Sequence, residues 1–81
     1  MSAEVITMRE REMRAMVRAL KRIQVERNLS TQGMAALLGL SPGLISMVYS
    51  GQRRPGIRFA RAVLERFPEI RQEIATMLRE D

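Results

Sequence analysis

The sequence predicts an all-α domain built from five short helices. Three observations lead to this prediction. Apolar residues recur at steps of three and four along the chain, the spacing that places side chains on one face of a helix. Residues that start and stop helices separate these segments, and the connections between them are short. The length of 81 residues is that of one small domain with a modest core, so residues 1–81 are treated as a single unit.

The first helix is expected over residues 8–27. Thr7 and Glu10 have the spacing of a capping box, in which each side chain accepts a hydrogen bond from the other residue's backbone N–H. Residues 1–6 precede this box and are expected to be disordered. Asn28 suits the left-handed conformation that ends a helix.

The second and third helices are expected over residues 31–38 and 42–49. Ser30 and Ser41 precede them and are good N-caps, because a serine oxygen accepts a hydrogen bond from the first helical turn. Gly39 lies between the two helices, where a positive φ turns the chain. Two helices joined by such a turn predict a helix-turn-helix, whose usual partner is the major groove of DNA.

The fourth helix is expected over residues 57–66, and the fifth begins with Pro68 and Glu69 in its first turn. Ile57 is placed on the apolar face of the fourth helix. The C-terminal segment 57–79 is the candidate dimer surface. Four of its apolar residues exceed what a small core needs: Phe67, Ile70, Ile74 and Met77.

Composition favours a nucleic-acid partner and argues against catalysis. The net charge is +5, and thirteen of the fourteen basic residues are arginine, which contacts phosphate and guanine through two parallel hydrogen bonds. Cysteine and histidine are absent, which excludes disulfides, thiol chemistry, histidine acid–base catalysis and zinc sites built on these ligands. No nucleophile lies beside a base, so we expect no enzyme activity, no cofactor and no metal.

The sequence also predicts a cytoplasmic protein without a membrane partner. No apolar run is long enough for a transmembrane helix. The first four residues lack the basic-then-apolar order of a signal peptide.

The helix-turn-helix segment, residues 30–50, resembles the phage-repressor-like (Cro/CI, or XRE-type) helix-turn-helix domains. The pattern common to that family is matched without a gap, and the match covers about residues 20–55. The resemblance implies a compact lambda-repressor-like domain that binds double-stranded DNA. The matching residues are Leu29-Ser30, Met34-Ala35, Leu38-Gly39-Leu40-Ser41, Ile45-Ser46, Gly51 and Arg53-Arg54-Pro55.

The resemblance implies that the third helix enters the major groove. Its base-contacting positions fall on Pro42, Gly43, Ser46 and Met47, with Ser41 at the phosphate or the first base. Pro42 and Gly43 offer no side-chain donor, which departs from the family pattern. Bidentate reading of bases from the start of this helix is therefore unavailable, and we expect modest sequence specificity.

No charged side chain occurs between Asn28 and Gln52, so three other routes to DNA are expected. Backbone amides at the N-termini of the second and third helices bind phosphate, assisted by Ser30, Thr31, Gln32 and Ser41. Single hydrogen bonds and methyl contacts to bases come from Ser46, Met47, Ser50 and Gln52. Phosphate contacts come from Arg53, Arg54 and Arg58, with Arg22 and other arginines of the first helix at the flank.

Many members of the family join an arginine of the first helix to a glutamate at the end of the third. Gln24 and Tyr49 occupy these positions here. Both partners differ together, and a neutral pair avoids the cost of desolvating two charges. We therefore predict that the Gln24 and Tyr49 side chains touch.

These features predict a small transcriptional regulator, a repressor, that binds its operator as a homodimer. Two alternatives remain. The first is an antitoxin-type autoregulator, which binds a toxin protein as well as DNA. The second is a protein-interaction module in which DNA readout is reduced, as the Pro42-Gly43 start of the third helix allows.

Overall fold

The computed structural model describes residues 9–80 and consists of five α-helices with no strand in that range. The predicted all-α class is confirmed. The predicted bounds of the second, third and fourth helices agree with the structure. The helices are α1 (Glu10–Glu26), α2 (Thr31–Leu38), α3 (Pro42–Tyr49), α4 (Ile57–Arg66) and α5 (Glu69–Glu80).

The beginning of α1 differs from the prediction. Arg9 has an extended backbone (φ −76°, ψ 165°), so the helix begins at Glu10 and not at residue 8. The Arg9 backbone N–H donates to Glu12 Oε1 over 2.8 Å, so Glu12, and not Glu10, bonds back to the residue that precedes the helix. The predicted cap at Thr7 and the segment 1–6 lie outside the described residues.

The end of α1 confirms the role predicted for Asn28. Its φ is 54°, in the left-handed region. The Asn28 N–H donates to the Val25 carbonyl over 3.0 Å, and the Leu29 N–H donates to the Gln24 carbonyl over 2.9 Å. These two bonds form a Schellman motif, which satisfies carbonyl groups that the helix end leaves open.

The core lies between α1 and the other helices. α5 packs along α1, while α3 and α4 contact α1 from other directions and α2 contacts α3 and α4. Every buried side chain in the described range is apolar. The largest fully buried side chains are Phe59, Phe67, Met16, Leu20, Met34, Ile45, Ile70 and Val63.

Two predictions for the C-terminal helices are wrong in detail. Ile57 is 45% exposed, while Phe59, two residues later, is buried. Ile57 is the first residue of α4, and its side chain does not reach the face that meets the core. Phe67, Ile70 and Ile74 are buried within the chain itself and are therefore not surplus apolar residues for a dimer surface.

The packing of α5 against α1 was not predicted. Residues far apart in sequence pack together here, because the last helix returns to the first. Met77 and Leu78 are half-buried against this core, so they are the part of α5 whose apolar surface is still accessible.

Among residues 9–80, no single helix is long and apolar enough to span a membrane. Length and composition alone let α2 and α3 pass such a test as a broken pair, with a bend of 110° between them.

Candidate nucleic-acid interface

The junction between α2 and α3 is fixed by local hydrogen bonds. Ser30 Oγ accepts a bond from the Gly33 N–H over 3.0 Å at the start of α2. Gly39 ends α2 with φ 68°, and the Leu40 N–H donates to the Ala35 carbonyl over 3.0 Å. A side chain at position 39 would be strained at this φ, which is why glycine occurs there. The result is a sharp turn of 110° between the two helices.

The start of α3 is open to solvent. Ser41 Oγ accepts a hydrogen bond from the Leu44 N–H over 3.1 Å, and Pro42 is the first helical residue. Pro42, Gly43 and Ser46 are exposed. Pro42 has no N–H and the Leu44 N–H is bonded to Ser41, so this end offers an anion the Gly43 N–H and the partial positive charge of the helix N-terminus.

The turn after α3 that carries Arg53 and Arg54, here called the basic turn, is held in place by the end of α3. Gly51 has φ 83°, and the carbonyl of Met47 accepts three hydrogen bonds. The donors are the Gln52 N–H at 2.9 Å, the Arg53 N–H at 3.1 Å and Ser50 Oγ at 3.2 Å. The backbone that carries Arg53 is thereby tied to the helix predicted to read bases.

The two arginines of this turn differ in their surroundings. Arg54 Nη2 lies 2.6 Å from Glu10 Oε1, and both side chains are exposed. Arg53 is exposed and has no ion-pair or hydrogen-bond partner for its side chain within the described part of the chain. The Arg54–Glu10 pair joins segments far apart in sequence, so no local pattern predicted it. Arg53 is therefore available to an anion, while Arg54 must first leave Glu10.

All twelve residues predicted to contact DNA are accessible. They lie on α2, α3 and the turn after α3, and none is buried. The exposed ones are Ser30, Gln32, Ser41, Pro42, Gly43, Ser46, Ser50, Gln52, Arg53 and Arg54, and the half-buried ones are Thr31 and Met47.

Arg22, predicted as a flanking contact, has two carboxylate partners within the chain. It pairs with Glu26 over 3.0 Å on α1 and with Glu73 on α5. The hydrogen bonds to Glu73 and then Glu26 raise the pKa of Arg22 further above its ordinary value. Arg22 therefore joins α1 to α5, and the phosphate contact expected of it stays a prediction.

The predicted contact between Gln24 and Tyr49 is confirmed. The Tyr49 hydroxyl donates to Gln24 Oε1 over 2.9 Å in a half-buried position. Burial raises the pKa of Tyr49 to about 12. Lys21 Nζ donates to the Tyr49 carbonyl over 3.2 Å and lies 5.3 Å from the centre of its ring. A neutral hydrogen bond thus joins α1 to the end of α3.

A groove beside the basic turn is lined by basic residues of α1 as well as by the turn itself. It has a volume of about 420 Å³ and runs between α1 and the turn after α3. Arg14 and Arg18 of α1 line one side, and Arg53 and Arg54 line the other. Their spacing of four on α1 was visible in the sequence, but the position of the turn opposite them was not.

Comparisons with models of protein families, with curated proteins and with solved structures found no match.

Proposed function

We propose that this protein is a small transcriptional regulator of the Cro/CI (XRE-type) helix-turn-helix class, which binds double-stranded DNA as a homodimer. In this proposal α3 lies in the major groove with its N-terminus towards the bases. Dimerisation is part of the proposal because one short helix reads few base pairs, and two copies read a palindromic site.

One observation carries the proposal. A serine-capped and uncharged helix with an exposed outer face follows a sharp turn from α2 and is followed at once by a basic turn. The bend of 110° and the three-residue connection are typical of helix-turn-helix motifs. The net charge of +5 supplies the long-range attraction that a polyanion requires.

The chemistry of the site supports different residues for the phosphate contacts and for the base contacts. Phosphates are bound by Arg53, by Arg54 once it leaves Glu10, and by the N-terminal amides of α2 and α3. Base contacts come from Ser46 and Met47, where a hydroxyl offers one hydrogen bond and a thioether contacts a thymine methyl. Affinity is then dominated by phosphate contacts and falls steeply with salt.

The test is a fluorescence-anisotropy titration of the protein with labelled duplex DNA at two salt concentrations. We expect binding to random duplex at low salt that weakens at higher salt. A site selected from a random DNA pool should bind more tightly, and its two half-sites should be related by a two-fold axis. Absence of binding to any duplex at low salt would contradict the proposal.

A second candidate function, a protein-interaction module, is favoured by Pro42 and Gly43. Both are exposed at the start of α3, and neither has a side-chain donor. The same titration separates the two functions, since such a module binds neither random nor selected duplex. An antitoxin-type regulator, in contrast, would bind DNA and in addition a toxin protein.

A further inference from the structure

The groove between α1 and the turn after α3 has a cationic rim on both sides. Arg14, Arg18 and Lys21 line the α1 side at steps of four and three, so they share one helix face. Arg53 and Arg54 line the opposite side. At the rise of an α-helix, the α1 rim is roughly 10 Å long, about two turns of a partner helix laid alongside.

The floor of this groove is apolar. Met13, Val17 and Pro55 are half-buried, and Val48 is buried beneath them. A DNA backbone would be held by the rim but would leave this floor without a partner, because phosphate and sugar offer no apolar stripe. An occupant that fits both parts has an apolar stripe flanked by acidic residues on each side.

We infer that this groove is a docking site for an acidic amphipathic helix of a partner protein. The apolar side chains of that helix, at helical spacing, cover the floor, as in other helix-in-groove complexes. Its carboxylates face Arg14 and Arg18 on one flank and Arg53 and Arg54 on the other. Within residues 9–80, Glu10 is the one acidic residue that lines the groove, and it pairs with Arg54, so a partner carboxylate replaces Glu10 there.

This inference does not depend on DNA binding, but it has a consequence if the proposed function holds. Arg53 and Arg54 belong both to the groove and to the proposed phosphate contacts. A helix in the groove therefore competes with DNA for the same two arginines, and the partner acts as a protein inhibitor of DNA binding.

The test uses the full chain and a synthetic, fluorescein-labelled peptide about five helical turns long. The peptide carries leucines on one face and glutamates on both flanks. A control peptide has the same composition with the leucines scrambled around the helix. We expect saturable binding of the first peptide at low salt and binding at least about tenfold weaker for the scrambled one.

Variants that replace arginine by neutral glutamine locate the peptide-binding site. Arg14→Gln combined with Arg18→Gln should weaken peptide binding by about tenfold, because two ion pairs are lost. Arg61→Gln combined with Arg71→Gln is the matched control, since both residues are exposed, lie outside the groove and remove the same charge. This control should bind the peptide as the unaltered chain does. Circular dichroism spectra of both variants verify that the helices are retained.

Three results would overturn the inference: no peptide binding at low salt, equal binding of the scrambled peptide, or an equal loss in the control variant. Titration of random duplex in parallel separates this inference from the proposed function. DNA binding without peptide binding refutes the groove alone, and peptide binding without DNA binding refutes the proposed function alone. If both bind, peptide should displace duplex, and a ternary complex would contradict the competition.

Discussion

The two halves of this small domain share one apolar core but differ in charge and in the contacts at their helix ends. The α1, α4 and α5 helices share a tightly packed apolar core, and Arg22 joins α1 to Glu73 of α5 at its edge. The α2–α3 segment is nearly free of charge and depends on serine caps and glycine turns at its helix ends. The α2–α3 half also buries Met34 and Ile45 in the core that it shares with the other helices, but its helix ends are fixed by contacts between neighbours.

This difference bears on function. The exposed surface of α3 carries no charged side chain, and the cations lie beside it at Arg53 and Arg54. The helix proposed to enter the major groove of DNA, α3, would thus fit by its shape and its backbone polarity. The positive charge that attracts DNA lies beside this helix.

The largest expected effect lies in the apolar half. Phe67→Ala should lower the free energy of unfolding by about 3–5 kcal/mol, because Phe67 is only 1% exposed and its removal leaves a cavity. Arg27 and Arg66 also lie over its ring, at 5.1 and 5.4 Å. Urea denaturation measures the change. Ile57→Ala is the control, since the exposed Ile57 should cost less than about 1 kcal/mol. Similar losses for both variants would contradict the assignment of the core.

The next effect concerns the caps of the α2–α3 half. Ser30→Ala and Ser41→Ala should each cost about 1 kcal/mol, because each removes the acceptor for an N–H of the first helical turn. Ser46→Ala is the matched control on the exposed face of α3 and should change stability by less than about 0.5 kcal/mol. If the cap variants were as stable as this control, local capping would not hold this half together.

The sequence predicted the α2–α3 half of the structure better than the other half. Helices α2 and α3 have the predicted bounds, because Ser30, Ser41, Gly39 and Gly51 act on backbone groups within a few residues. The burial of residues in α4 and α5 was predicted less well. Whether Ile57 or Phe59 meets the core depends on where α4 lies against the other helices, which no local pattern encodes.

The candidate site shows the same limit. The twelve residues that local motifs and the resemblance place at DNA are accessible in the structure, while their contact with DNA stays a prediction. The Gln24–Tyr49 contact was predicted only through the resemblance, as a substitute for an ion pair. The Arg54–Glu10 pair and the groove opposite Arg14 were missed, because both depend on how α1 packs beside the turn after α3.

The Gln24–Tyr49 bond links the two halves, and its strength is a third test. A double-mutant cycle with Gln24→Ala and Tyr49→Phe should give a coupling free energy of about 1 kcal/mol. A coupling near zero would mean that the bond contributes nothing to stability.

The pH dependence of the same residue offers an independent readout. Tyr49 is the one tyrosine of the chain, and there is no tryptophan, so ultraviolet difference absorbance reports its ionisation alone. Its pKa is raised from 10.0 to about 12 by burial. The neutral phenol therefore stabilises the fold fully below pH 10, and this contribution is lost as the pH rises towards 12. Titration of folded Tyr49 near pH 10 would contradict the burial of its hydroxyl.

The smallest effect should come from releasing Arg54. Glu10→Gln removes the exposed partner of Arg54 and should strengthen binding to random duplex by up to about fivefold at low salt. Glu69→Gln, in the first turn of α5, is the control with the same change of charge. An equal gain in both variants would show that net charge, and not the freed arginine, is responsible.

The central claim is that phosphate binding depends on Arg53 and Arg54, outside the uncharged helix. The direct test is the slope of the logarithm of the DNA-binding constant against the logarithm of salt concentration. For Arg53→Ala combined with Arg54→Ala, we predict weaker binding to every sequence and a slope reduced by about 2. Arg61→Ala combined with Arg71→Ala should leave the slope nearly unchanged. An unchanged slope in the first variant, or an equal reduction in both, would contradict the claim.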